Sequence, residues 1–190
     1  MGKALIAALL LLAAAAYGQP RQTPLSKLPS DYSLEQAKAD GCVVYEDLDV
    51  TQGQEQFAGF AERAARGETC AVRLANYYTL GDPSHYAPGV YEALKDEYPV
   101  LYVQDLSFDG DRYTLRGIDN RKEYSKQYQY LMKYEGPSET PYAEYKSYIR
   151  YVLTNDSTVS WDELQWSTYS SLYEDKIDYN TVYTDLIYDT

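Results

Sequence analysis

Val100 to Gly117, VLYVQDLSFDGDRYTLRG, is the stretch whose reading decides the fold. Asp109-Gly110 is a dipeptide that favours a two-residue hairpin turn, and apolar residues alternate on both sides of it. Such a turn pairs Phe108 with Asp111, Leu106 with Tyr113 and Gln104 with Leu115. Leu106, Phe108, Tyr113 and Leu115 then share one face; Asp105, Ser107, Arg112 and Thr114 share the other. A slip of one residue would mix the two sets, so pattern and turn agree on a half-buried antiparallel sheet.

N-terminal to this hairpin, Cys42 to Glu46 and Thr69 to Tyr78 read as strands. Between them Phe57, Phe60, Ala61, Ala64 and Ala65 form one helical face that stops at Gly67. Thr51, with Gln54 in the capping-box position, is the expected start of that helix. Strand, helix and strand at this spacing predict a right-handed crossover and a parallel pair. Ser33 to Asp40 predicts an earlier short helix, capped by Ser33 and Gln36. Gly81-Asp82-Pro83 is a turn, and the polar insert from Ser84 to Pro99 carries a short helix through Val90, Leu94 and Lys95. C-terminal to the hairpin, Tyr124 to Tyr134 predicts one strand with Tyr128, Tyr130, Met132 and Tyr134 on one side. Tyr145 to Leu153 alternates as its antiparallel partner, although Tyr142 to Arg150 also fits a helix. Ser160 opens a late helix with Glu163 in the capping box and a staple between Val159 and Leu164. Lys176 to Tyr188 reads as the last strand. The expected fold class is α+β: a mixed, mainly antiparallel sheet with a β-α-β start, a central Asp-Gly hairpin and packing helices.

The 190 residues include 23 tyrosines against 3 phenylalanines and 2 tryptophans. Tyrosine packs as an aromatic yet keeps a hydroxyl for water or a partner, which suits partly buried sheets. The formal net charge is -12. That charge repels phosphate backbones and anionic lipid, so nucleic acid and, for the mature form, membrane are not expected partners. Met1 to Gly18 has the pattern of a secretory leader: Lys3, then an apolar run from Ala4 to Ala16, with Ala16 and Gly18 at the small-residue cleavage positions. Residues 19–30, with Pro20, Pro24 and Pro29, read as an extended linker with no core role. A single domain is expected over 31–190, secreted or otherwise extracytoplasmic.

Cys42 and Cys70 are the only cysteines. Each opens a strand on the same expected edge. Export to an oxidising compartment makes a disulfide between them the favoured reading over two buried thiols. His85 is the only histidine, which excludes a zinc site built on several histidines. Asp109, Gly110 and Asp111 form only a fragment of a calcium loop, and the turn explains them. No catalytic residue, metal or cofactor is assigned. The Tyr128-Tyr130-Tyr134 and Tyr145-Tyr151 stripes fit cross-strand pairing better than a ligand platform. Asn155-Asp156-Ser157 matches a glycosylation sequon.

Phe57 and Phe60, Gly67, Val72-Arg73, Tyr78-Thr79, Gly81-Asp82-Pro83, Leu106 to Gly110 and Asp119-Asn120 occur in this order. From about residue 41 to 120 the chain resembles a family of small exported bacterial proteins catalogued as domain of unknown function 4362. It departs from that family by the insert after the Gly-Asp-Pro turn. The resemblance implies export and a compact α+β domain, and transfers no catalytic residue. The expected function is a secreted or cell-surface, non-catalytic module for an unknown extracellular ligand or protein. Its candidate ligand-binding residues are Arg73, Tyr77, Tyr78 and Asp82, where a strand end meets a loop. The alternatives are a secreted hydrolase using paired carboxylates on sugar or peptide, and a protein inhibitor or envelope-interaction protein.

Overall fold

The computed structural model describes residues 23–119, 122–169 and 176–188. The expected leader lies outside the described residues. Two sheets carry the fold. The larger has the strand order β2-β1-β3-β4-β5-β6, built from β1 (Val43–Glu46), β2 (Asp49–Gln52), β3 (Cys70–Tyr78), β4 (Val100–Phe108), β5 (Tyr113–Asp119) and β6 (Lys122–Tyr128). The smaller, β7-β8-β9, uses β7 (Tyr130–Pro137), β8 (Ser147–Thr154) and β9 (Tyr179–Ile187). β1 and β3 are parallel, as the crossover predicts, and every other pair is antiparallel. The fold is α+β.

The central hairpin forms with a longer turn than expected. Phe108 pairs with Tyr113, Leu106 with Leu115 and Gln104 with Gly117. The cause is the Asp109 carboxylate, which accepts hydrogen bonds from the Asp111 and Arg112 amides at 2.9 and 2.8 Å. This side-chain turn takes in all four residues from Asp109 to Arg112. The pairing moves by two residues, an even number, so every side chain keeps its expected face.

One face of the large sheet holds the main core. Val43, Val72, Leu74, Leu106 and Leu115 are buried there, joined by Phe57 and Phe60 of α2 (Gln54–Ala65). The small sheet packs on the same face: Phe57 stacks on Tyr183 with ring centres 4.1 Å apart and meets the edge of Tyr151 at 5.1 Å. Each such buried aromatic contributes about 2 kcal/mol by removal from water. The outer face of the small sheet packs Val152 against Val159 and Leu164, under α4 (Trp161–Tyr169), the helix that follows α3 (Val90–Leu94) of the insert. Ser160 and Glu163 cap α4 reciprocally. Trp166 of this helix is 65% exposed.

The far face of the large sheet is covered by α1 (Leu34–Ala39), with the expected Ser33–Gln36 capping box, over Ala37, Cys42, Val44 and Ala75. Residues 23–30 are not a free linker. Leu25 is buried, and the Thr23 carbonyl accepts a hydrogen bond from Arg73 at 2.7 Å. A buried guanidinium needs its donors filled, and this segment fills one of them.

Three further expectations are corrected. Residues 49–52 return as β2, and the N-cap of α2 is Gly53 rather than Thr51. Gly53 has φ 90°, and a Cβ there would stand 2.6 Å from the Val43 Cα, so only glycine fits. The Tyr124–Tyr134 stretch is two strands, not one. The chain leaves the large sheet at Tyr128 and enters the small one at Tyr130, with the Gln129 amide donating to Asn155 Oδ1 at 3.0 Å. Finally, Cys42 and Cys70 are free thiols. Val43 pairs with Leu74, so Cys42 lies level with Arg73. Cys70 is three residues further along, about 10 Å by strand rise. The two also face opposite sides of the sheet, Cys42 towards α1 and Cys70 towards Phe60. A disulfide tolerates a Cα separation of only about 7 Å.

A candidate binding groove

The small sheet covers only part of the core face. Towards the C-terminal end of β3 and the N-terminal end of β4 the two sheets part, leaving a cavity of about 890 Å³. Its floor is the continuing pleat: Asn76 and Tyr78 on β3, Tyr102 and Gln104 on β4, and Tyr124 on β6. Asn180 and Thr181 at the start of β9 form the opposite wall. Register explains the convergence. Asn76 pairs with Tyr102, Gln104 with Gly117, and Gly117 with Tyr124, so all lie on the face that buries Leu106.

Gly117 shapes this floor. A Cβ there would stand 2.4 Å from the Tyr124 hydroxyl, so its absence lets the Tyr124 ring fold back across β5. The ring reaches β4, where Gln104 Nε2 donates to the Tyr124 hydroxyl. On the opposite side Tyr78 and Tyr102 meet edge to face with centroids 6.0 Å apart. Tyr102 is half exposed. Burial, then the neighbouring Tyr102, push the Tyr78 phenol above its ordinary pKa, so it remains a hydrogen-bond donor. Among the described residues the Asn76 carboxamide and the Tyr78 and Tyr102 hydroxyls make no hydrogen bond.

The end of the groove is ionic but balanced, with Lys122 on the same face as its register partner Asp119 and Lys126 opposed by Asp178. Lys126 bridges to Asp178 at 3.3 Å, and this bond holds the ammonium pKa up. Asp119 pairs with Lys122, and Glu123 with Ile118, so the pleat turns the two carboxylates to opposite faces. A second cavity of about 390 Å³ continues the groove past Asn76, Tyr78 and Gln104 towards Arg150. Its strand-end wall is fixed by Asp47, whose carboxylate accepts from the Thr79 amide at 2.6 Å and hydroxyl at 2.9 Å.

The four sequence candidates are not brought together. Arg73, 2% exposed, lies on the α1 face, bonded through Nε and Nη2 to Asp105 at 2.6 and 2.9 Å. Tyr77 shares that face by strand alternation, whereas Tyr78 faces the groove. Asp82 is exposed and accepts from the Ser84 amide at the start of a single 3-10 turn, Pro83–His85. Tyr102, Gln104 and Tyr124 were missed. Their signal is Gly117 facing Tyr124 across the β5–β6 pair, a pairing that was not among the sequence expectations.

Glu139 forms a separate cluster. It accepts hydrogen bonds from Tyr145, both terminal nitrogens of Arg150, Trp161 and Gln165. Arg150 in turn lies 4.2 Å over the Tyr148 ring and 4.6 Å over that of Trp161. Burial alone would raise the Glu139 pKa, but the bonds from Arg150, Trp161 and Tyr145 outweigh it and bring it down to about 2. With its lone pairs taken, this carboxylate is a clamp between the 138–146 loop and α4 rather than a proton-transfer group.

Among the described residues no group of three or more His, Cys, Asp or Glu is placed to hold a metal ion. Nor is any helix among them long and apolar enough to cross a membrane. No family model, curated protein or solved structure matches the chain.

Proposed function

We propose that the protein is an exported, non-catalytic binding module whose ligand lies in the groove between the two sheets. One observation carries this reading: tyrosine rings and unspent amide and hydroxyl groups converge on an open cavity, on the same face that is otherwise filled with core. Polar groups left without protein partners inside a concave aromatic site are the usual furniture of a ligand pocket. The binding rather than hydrolytic part of the reading is supported by the pleat. A glycosidase needs two carboxyls facing one space, and Asp119 and Glu123 face apart. The export part is supported by the leader pattern of Met1 to Gly18.

The test has two arms. N-terminal sequencing of the chain from the cell exterior should begin near Gln19; recovery only from the cytoplasm, with Met1 intact, removes export. Amide chemical-shift mapping against a mixed set of oligosaccharides and short peptides should place the shifts at Asn76, Tyr78, Tyr102 and Gln104, with the probe recovered intact. Shifts confined to other surfaces remove the groove, and cleavage of a probe moves the protein to the hydrolase reading.

A further inference from the structure

We infer that the ligand of this groove is a short, uncharged oligosaccharide. The inference rests on the reading of the groove as the binding site and names the class of molecule it takes.

Charge is the first argument. The chain carries a formal net charge of -12, yet at the groove Lys122 stands on one face with its register partner Asp119, and Lys126 is bridged to Asp178. A site for an anion would keep its cations unopposed, and a site for a cation would extend the acidity of the rest of the molecule. This site does neither.

Functional-group matching is the second. Carboxamides and phenols both donate and accept, as sugar hydroxyls do. Asn76, Tyr78 and Tyr102 have that capacity free among the described residues, and Gln104 has its carboxamide oxygen left after donating to Tyr124. Tyrosine rings also offer flat apolar faces with a polar tip, which suits the C–H face and hydroxyl rim of a pyranose.

Reach and backbone chemistry are the third. The lining runs from Asn76 and Tyr78 on β3 to Lys122 and Lys126 on β6, three strand spacings in the order β3-β4-β5-β6. That is about 14 Å across the sheet, the span of a short chain of sugars rather than of one. An extended peptide recognises a sheet by adding to an edge strand. The centre of the floor is strand interior: β5 is paired with β4 and β6, and β4 is paired with both neighbours from Gln104 onward. Along that interior only side chains are on offer; β6 and β9 border the groove as edge strands, and the hexapeptide probe tests them.

The experiment is titration of the full chain, followed by amide shifts and calorimetry. The neutral probes are maltohexaose, cellohexaose and chitohexaose; oligogalacturonate is the anionic probe, a chitosan oligomer the cationic one, and an uncharged hexapeptide completes the set. The expected result is saturable binding of at least one neutral oligosaccharide at the groove. Its affinity should fall by at least about tenfold in Tyr102→Ala, the loss of one aromatic contact. Asn76→Leu, which keeps volume and removes hydrogen bonding, should reproduce the loss. Tyr142→Ala, at a position 92% exposed in the 138–146 loop, should bind as the parent does. Preferential binding of a charged oligomer or the peptide at the same residues overturns the neutral-sugar inference and leaves the groove as the site. No shift at groove residues with any probe overturns both.

Discussion

The covered and open halves of one sheet face make the informative comparison. Both halves use the same strands, both carry tyrosine, and both follow the same alternation. In the covered half Tyr113 and Tyr128 sit among Leu106, Phe108 and Leu115 beneath α2 and the small sheet. In the open half Tyr78, Tyr102 and Tyr124 sit among Asn76 and Gln104. Tyrosine content therefore does not distinguish packing from recognition. The neighbours do: leucine and phenylalanine exclude water, whereas carboxamides require a partner once the cavity closes.

Truncations sharpen the contrast most. Tyr128→Ala, at a fully buried position, should destabilise the protein by about 3 kcal/mol in urea unfolding. A loss below 1 kcal/mol would mean that the small sheet does not depend on the covered half. Alkaline titration comes next. Burial pushes the Tyr183 phenol from 10.0 up to about 12, with Asp185 and Tyr151 adding to the shift. Between those values the unfolded chain has lost a proton that the folded chain keeps, so stability should be complete below pH 10 and fall as pH rises through this window. Thermal melts of Tyr183→Phe should show a weaker fall; an unchanged slope would remove Tyr183 as a contributor.

Gly117→Ala attacks the border between the halves. The added methyl meets the end of the Tyr124 side chain, which can swing away, so the expected cost is about 1 kcal/mol. The aromatic ring currents at Gln104 should change in the same spectrum. On the acid side, Glu139 holds a proton only below about 2 in the folded chain, against an ordinary 4.5. Its contribution is present above pH 4.5 and is lost as pH falls towards 2. The effect is modest because the carboxylate is partly exposed, and Glu139→Gln should flatten the melting temperature over that window. The smallest effect belongs to Tyr102→Ala, within about 0.5 kcal/mol of the parent because the ring is half in water. A large destabilisation there would make the open half a core after all.

Local signals were read well where the chemistry is local. Ser33 with Gln36, and Ser160 with Glu163, Val159 and Leu164, depend on atoms within a few residues. The turn after Phe108 was misread because the Asp109 carboxylate takes the Asp111 and Arg112 amides, while the Asp109 amide donates to the Arg112 carbonyl at 3.2 Å, so the turn closes one residue later than expected. Thr51 looked like a cap, but its hydroxyl donates to Glu46 across a hairpin at 2.8 Å. The cysteine pair failed for want of a register, since both strands and their parallel order were right and the offset of three residues was not visible.

Alternation with period two, capping residues and the α2 stripe set which side chains share a face and where helices begin, because those rules act between near neighbours along the chain. Tertiary structure alone decided that the chain bends into a second sheet at Gln129 and that this sheet covers only half of the first. Where one surface stops shielding another depends on the stacking of Phe57, Tyr151 and Tyr183, contacts between residues about a hundred positions apart. The groove exists because of that boundary, and no local pattern records it.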